Sequence, residues 1–251
     1  MEPTRLAAYV RSIENNGYTI IPNVLNPESV AELREVATSI WRNNNGHTRG
    51  YLHEFGIVHR DLRFAKLVSV PDVLAAVVAI MGENISVYHS HLTCTGFNAT
   101  SIHDFEFKWH RDAKQTVCDL GRQSVGPPPR VSLKAGYFLT SVERESDGAT
   151  VAFPGSHIGE VHDEAPVPLL GEAGSCVIFD NRLVHSRGPN THHAIRMAAY
   201  VAYGFRWLHP RDDLADRGVS QRDLTAVQQY LLCIGESARD RHSPGRLPTP
   251  C

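Results

Sequence analysis

A histidine and an aspartate stand two residues apart in the stretch 107–112, at His110 and Asp112, and a second histidine, His185, lies far downstream in the stretch 183–190. Two imidazoles and one carboxylate are the ligand set of a mononuclear iron(II) centre, which takes three protein groups on one face of an octahedron and leaves three positions open. Taken singly, each has an ordinary explanation: a His-x-Asp pair makes a local hydrogen bond, and a histidine near a turn caps a loop. With 14 histidines in 251 residues, spacing has to carry the case.

The spacing continues to Arg196. It follows His185 by eleven residues, past the turn Gly188-Pro189-Asn190, and is surrounded by Ile195, Met197, Ala198, Ala199 and Tyr200. A guanidinium inside an apolar strand needs an anionic partner, and its planar fork matches a carboxylate. A structural salt bridge would satisfy it, and so would a dicarboxylic ligand held beside the metal.

The elements that must position these residues come in two groups. Residues 5–15 put Leu6, Tyr9, Val10 and Ile13 at helical spacing, closed by Asn16-Gly17, and residues 18–21 read as a short strand. Asn26-Pro27-Glu28 is an N-cap, a first-turn proline and an early acid ahead of Val30, Leu33, Val36, Ala37 and Ile40, which predicts a second helix. Residues 42–50 read as a loop, and 71–82 as another helix with glycine at its end. After Gly82 the period changes. Runs at 85–92, 105–109, 131–135, 136–142, 150–153, 175–179 and 195–205 are short and β-prone, separated by turn residues, which indicates a sandwich or jelly roll. In that reading His110 and Asp112 sit at a strand end, where alternation sends both to one face. Leu224, Val227, Tyr230 and Leu231 suggest one more short helix, and residues 243–251 a loose tail. The expected plan is a single domain over 1–251: N-terminal helices to about 82, a β core over 83–210, and a C-terminal helix and tail over 211–251.

Composition narrows the partners. A formal charge of -2 and a pI near 6.7 supply no basic stripe for nucleic acid or an anionic membrane surface, so a small molecule is the expected partner. Five cysteines are odd in number and scattered, with no Cys-x-x-Cys pair, and read as free thiols of a reducing cytoplasm. Residues 1–6 lack a basic region leading into an apolar run, and the longest apolar stretch, 73–81, is too short to span a bilayer. The expectation is a cytoplasmic protein, not membrane-bound, as a monomer or homodimer.

Four stretches in this order and spacing resemble the phytanoyl-CoA dioxygenase family of iron(II)- and 2-oxoglutarate-dependent oxygenases: residues 16–27, Trp109-His-Arg-Asp112, Phe153-Pro-Gly-Ser-His157, and His185 to Arg196. The resemblance runs from about residue 5 to residue 210. It implies a double-stranded β-helix, mainly β with helical cover, cupin-like, in which His110, Asp112 and His185 bind Fe(II) and Arg196 grips the far carboxylate of 2-oxoglutarate. Thr93 and His89 are the candidates for a second contact to that cosubstrate. Many relatives place serine two residues after the second histidine, whereas here Ser186 comes one after and Arg187 two after. Either the local turn differs or Arg187 faces the substrate.

Lys114 and Gln115, directly after the metal motif, are further substrate-facing candidates. His157 reads as a structural turn residue, His192-His193 as solvated, and His59, Arg60, Arg63 and Lys66 as a solvated face at the pocket mouth. The resemblance implies an O2-consuming dioxygenase that releases succinate and CO2 and hydroxylates an unactivated carbon of a small metabolite or natural-product intermediate. Halogenating relatives lack the carboxylate ligand, so Asp112 favours oxidation over halogenation. Two other classes stay open: a metal-dependent β-helix dioxygenase without 2-oxoglutarate, in which Arg196 would be idle, and a non-catalytic binding module.

Overall fold

The computed structural model describes residues 1–112, 127–161, 165–212, 218–235 and 246–248. Helix α1 (Pro3–Asn16) ends where Gly17 takes a left-handed φ of 82°, and hands the chain to strand β1 (Tyr18–Ile21). Helix α2 (Pro27–Asn43) is capped by the Asn26 side chain, which accepts from the Ser29 N–H at 2.8 Å. Short helices α3 (Gly46–Arg49), α4 (Ile57–Arg60) and α5 (Leu62–Ala65) surround strand β2 (Tyr51–Phe55), and helix α6 (Pro71–Met81) completes the helical cover. The β core follows: β3 (Ile85–Thr95), β4 (Ser132–Phe138), β5 (Thr150–Ala152), β6 (Val167–Leu169), β7 (Cys176–Asp180), β8 (His185–Arg187) and β9 (Arg196–Phe205). Helix α7 (Ala226–Leu231) starts with a capping box between Thr225 and Gln228. No single described helix is long and apolar enough to cross a membrane.

Two antiparallel sheets make the double-stranded β-helix. The larger has the order β1-β7-β4-β9-β3-β2 and the smaller β6-β5-β8. Alternation assigns the faces of the larger sheet. Leu133, Ala135 and Tyr137 of β4, Cys176 and Ile178 of β7, and Met197, Ala199, Val201 and Tyr203 of β9 pack under the helices with Leu33, Phe64, Val73 and Val77. Phe138, Val177, Phe179, Ala198 and Tyr200 face the other way, toward Ala152 and Leu183.

Strand β3 would break this order without an extra residue. Ile85 and Val87 are on the helix side, yet so are Leu92 and Cys94, of opposite parity. The ladder with β9 shifts register between Val87 and His89, so Tyr88 is the inserted residue of a bulge. The bulge turns His89, His91 and Thr93 inward.

Three sequence expectations need correction. Residues 105–109 do not form a strand: His110 joins the sheets only through an isolated bridge to His185, and the rings of this segment pack on one another instead, Phe107 stacked on Trp109 and Trp109 tilted against Phe153. The stretch 131–142 holds one strand, Ser132–Phe138, not two. The loop 42–50 contains α3, and β2, an edge strand whose inward face is Tyr51, His53 and Phe55, has no counterpart among the expected elements.

Candidate metal and cosubstrate site

His110, Asp112 and His185 come together at one end of the cavity between the sheets. Asp112 Oδ1 lies 3.9 Å from His110 Nε2 and 3.8 Å from His185 Nε2, and the three ligand atoms all fall within 4.8 Å of one another. Each histidine commits its other nitrogen to the backbone: His110 Nδ1 donates to the Lys108 carbonyl at 2.9 Å, and His185 Nδ1 to the Leu183 carbonyl at 2.9 Å. That fixes both tautomers with bare Nε2 lone pairs aimed at a common point, the arrangement of metal-ligating imidazoles. The residues fit a divalent ion on this ground.

The surroundings hold the ligands in place. His110 and His185 exchange two backbone hydrogen bonds of 3.0 Å. The turn before His185 is built on Asp180, a fully buried carboxylate that accepts from Arg182 N, Nε and Nη2 at 2.7–2.9 Å and from Arg130 Nε at 2.6 Å. So many charge-assisted bonds offset the cost of burying it. Burial pushes His185 down to about 4, so it is a neutral ligand at ordinary pH. Burial alone would raise the Asp112 carboxyl, but the ammonium of Lys134, ion-paired to Asp112 Oδ2, overrides it and holds the group well below the usual carboxylate range.

Arg196 opens β9 and is buried. Its Nη2 donates to the Tyr200 hydroxyl at 2.8 Å, and its Nε has no hydrogen-bond partner among the described residues. An orphaned guanidinium N–H on the cavity wall is a place prepared for an anion. Arg187 stands on the same face. In β8, alternation sends His185 and Arg187 into the cavity and Ser186 out of it, where the Ser186 hydroxyl accepts from Lys108 N at 2.9 Å and donates to the Arg187 carbonyl at 3.0 Å. The Arg187 guanidinium lies 4.0 Å from the Tyr51 ring centroid, and its Nη1 is buried without a partner among the described residues.

Of the two proposed second contacts, Thr93 lines the cavity. His89 does too, but both of its nitrogens are engaged: Nδ1 donates to Asp212 Oδ1 at 2.6 Å, and Nε2 lies 3.1 Å from His91 Nδ1. It has no nitrogen left for a cosubstrate carboxylate. Lys114 and Gln115 lie outside the described residues. His157 is a structural residue, its Nε2 3.1 Å from the Glu14 carbonyl, and His192 sits 3.3 Å from Asp147. The solvated-face expectation fails for His59, which is buried; Arg63 folds back on Asp61, bonded at 2.7 and 3.0 Å.

Lys134, Tyr200, His53, His91, Arg211 and Asp212 were not among the expected site residues, yet all but Asp212 line the same cavity, about 330 Å³. Lys134 carried a signal, a lysine in the middle of the apolar run 131–138, and Tyr200 carried another, its even spacing from Arg196 along one strand.

The fold and the site define a class: a double-stranded β-helix with a two-histidine, one-carboxylate centre and a buried arginine beside it. The chain belongs to the phytanoyl-CoA dioxygenase family, whose model matches residues 13–198. Its cofactors are those of the family, iron(II), with 2-oxoglutarate as cosubstrate and O2. No curated protein matches the chain.

Solved structures match it at low identity. SnoN, the non-heme alpha-ketoglutarate-dependent epimerase of nogalamycin biosynthesis, is 21% identical at a TM-score of 0.61, covering 80% of this chain and 83% of its own. In complex with Fe3+, alpha-ketoglutarate and nogalamycin RO, SnoN matches at 18% identity and a TM-score of 0.64, covering 99% and 97%. HygX from Streptomyces hygroscopicus, with nickel and 2-oxoglutarate bound, is 14% identical at a TM-score of 0.65, covering 84% and 89%. At these identities the likeness is one of fold.

Proposed function

We propose that the protein hydroxylates an unactivated carbon of a small organic molecule, consuming O2 and 2-oxoglutarate and releasing succinate and CO2. The observation that carries this reading is the pairing of the ligand triad with Arg196, whose Nε is left without a partner on the wall of the same cavity. A metal site that did not use a dicarboxylic cosubstrate would leave that buried cation unexplained.

Iron(II), when bound, supplies activation of O2 through its open positions. The chain's own residues do the rest. His110, Asp112 and His185 present one face of ligands, oriented by the Lys108 and Leu183 carbonyls and by Lys134. Arg196, with the Tyr200 hydroxyl on its Nη2, would hold the far carboxylate of 2-oxoglutarate, and such positioning converts a bimolecular encounter into an ordered one. A carboxylate at Asp112 would complete the ligand set and leave no protein position open for a halide, which supports oxygen insertion. The epimerase activity named for SnoN also depends on alpha-ketoglutarate, and product analysis separates it from hydroxylation.

Calorimetry on the nickel-loaded protein should show one 2-oxoglutarate bound, and the iron-loaded protein should form succinate. Arg196→Ala should weaken 2-oxoglutarate roughly 10- to 100-fold, the worth of a charge-assisted pair at about 1.5–3 kcal/mol, while keeping the metal. Equal 2-oxoglutarate affinity in Arg196→Ala and the parent protein would refute the anchor role. Metal binding without any 2-oxoglutarate binding would leave the dioxygenase that works without it.

A further inference from the structure

Beside the Arg196 wall runs a hydrogen-bonded chain of three buried side chains, Asp212, His89 and His91, that neither the metal nor the arginine accounts for. We infer that 2-oxoglutarate binds together with one proton: His91 Nε2 donates to the cosubstrate, and the added charge comes to rest on His89 beside Asp212. The inference rests on the assignment of 2-oxoglutarate to the wall that carries Arg196.

The order of donors is fixed from the buried end of the chain. Asp212 Oδ2 takes the Ser90 N–H at 2.7 Å and the Ser90 hydroxyl at 2.8 Å, and its Oδ1 lies 2.6 Å from His89 Nδ1. A carboxylate can only accept, so His89 Nδ1 carries a proton. In the neutral ring His89 Nε2 is then bare, and it accepts from His91 Nδ1–H at 3.1 Å. His91 Nε2 is bare in its turn. The empty protein therefore shows the cavity a lone pair at the end of the chain.

A lone pair is the wrong group to set beside an anion. His91 is the partner of Tyr200 in the β3–β9 ladder and stacks on its ring with centroids 4.7 Å apart, and the Tyr200 hydroxyl takes Arg196 Nη2. Thr93, two residues along β3 on the same face, lines the same wall. A dicarboxylate lying there stands against His91, and one proton from water turns repulsion into a hydrogen bond. The proton adds to His91 Nε2 as the Nδ1 proton passes to His89 Nε2. His91 stays neutral in its other tautomer and donates to the cosubstrate. His89 becomes an imidazolium, donating to Asp212 from one nitrogen and to His91 Nδ1 from the other.

The surrounding charges decide which ring keeps the proton. Burial first, then Lys134 on β4, His53 on β2, His89 and Arg211, hold His91 neutral. A charge on His91 would have no carboxylate of its own, because Asp112 is paired with Lys134. One ring further back, His89 lies against a carboxylate that Ser90 already holds in place, so a charge there is compensated at hydrogen-bond distance. On the far side the chain meets a second cavity of about 280 Å³, lined by Arg60, Arg211 and Asp212 among others, where Arg60 pairs with Glu54. The arriving dianion lowers the positive potential that Lys134 and Arg211 set up, which is why the proton comes with it and not before.

The test needs no organic substrate. The full chain loaded with nickel is titrated with 2-oxoglutarate by calorimetry between pH 6.5 and pH 8, in phosphate, PIPES and HEPES, whose ionisation enthalpies differ. The dependence of the heat on the buffer counts protons, and 2-oxoglutarate, fully ionised there, brings none of its own. The expected result is an uptake of at least about half a proton per cosubstrate within this range, with affinity rising by up to about tenfold per unit fall in pH. His91→Gln keeps an N–H for the cavity with nothing to titrate, so it should bind within about tenfold of the parent and take up no proton. Asp212→Asn removes the counter-charge and should also lose the uptake. Uptake below about half a proton throughout the range in the parent, or uptake that survives in either variant, would overturn the inference and leave the proposed function standing. Absence of any 2-oxoglutarate binding would overturn both.

Discussion

Lys134 is the residue on which the metal ligands and the cavity's charge both turn. Its ammonium pairs with Asp112 Oδ2 and lies over the faces of Phe179 and Tyr200, at 5.6 and 5.9 Å from their centroids. It leaves Asp112 Oδ1 for the metal and fixes the plane of the carboxylate. Lys134→Met keeps the stem and removes the charge, so it should reduce metal affinity roughly tenfold or more, as loss of an outer partner does at other metal centres. Competition against a chelator measures it; unchanged retention would show that Asp112 is oriented by the chain alone. The triad and Arg196 could be read in the sequence because their spacing is local to two short stretches. Lys134 could not, since its role depends on β4 lying beside β7 and β9, pairings between residues far apart in the chain.

At the scale of the elements, the long amphipathic helices and most strands were legible, because α1, α2 and α6 carry their own caps and periods. The segment 105–112 was not: its β-prone composition reflects aromatic stacking, not a ladder. Nor was β3, where alternation read from Ile85 onward puts His89 and His91 on the helix side until the bulge at Tyr88 reverses it. Close packing of β4 against β9 makes another demand. A Cβ at Gly136 would stand 2.5 Å from Tyr200 Cε1 and 2.9 Å from Tyr200 Cδ1. Gly136→Ala should therefore displace the ring that supports Arg196 and His91, lowering stability by about 1–3 kcal/mol and weakening 2-oxoglutarate along with it. Denaturant titration and calorimetry on the same sample give both numbers; a loss of stability without a loss of affinity would show that Tyr200 does not position Arg196.

For the whole molecule, the buried imidazoles make metal-free stability depend on pH in a defined direction. His53 and His185 are lowered from 6.5 to about 4, and His91 lies well below 6.5, in each case chiefly by burial. Unfolded, these groups titrate near their ordinary value, so between about pH 6.5 and pH 4 the unfolded chain takes up protons that the folded one refuses. Stability is full above that window and falls as pH falls through it. Urea midpoints of the metal-free protein at pH 7.5 and pH 5 check the sign; an equal or higher midpoint at pH 5 would contradict it. Loading the metal should raise stability and steepen its fall below about pH 6.5, because a ligated imidazole takes up no proton in the folded chain while the unfolded chain still does.

The bridge between His110 and His185 has one more consequence. It is an isolated pair of backbone bonds, and the chain on the His110 side, 105–109, belongs to no sheet. A metal shared by His110, Asp112 and His185 would tie that segment to β8 at a second level, closing a loop of chain that the bridge alone holds loosely. Phe105, Phe107 and Trp109 then become a gauge of occupancy. A protease that cuts after aromatic residues should nick the metal-free protein there and spare the loaded one, so the state of the centre can be read from a gel without following turnover.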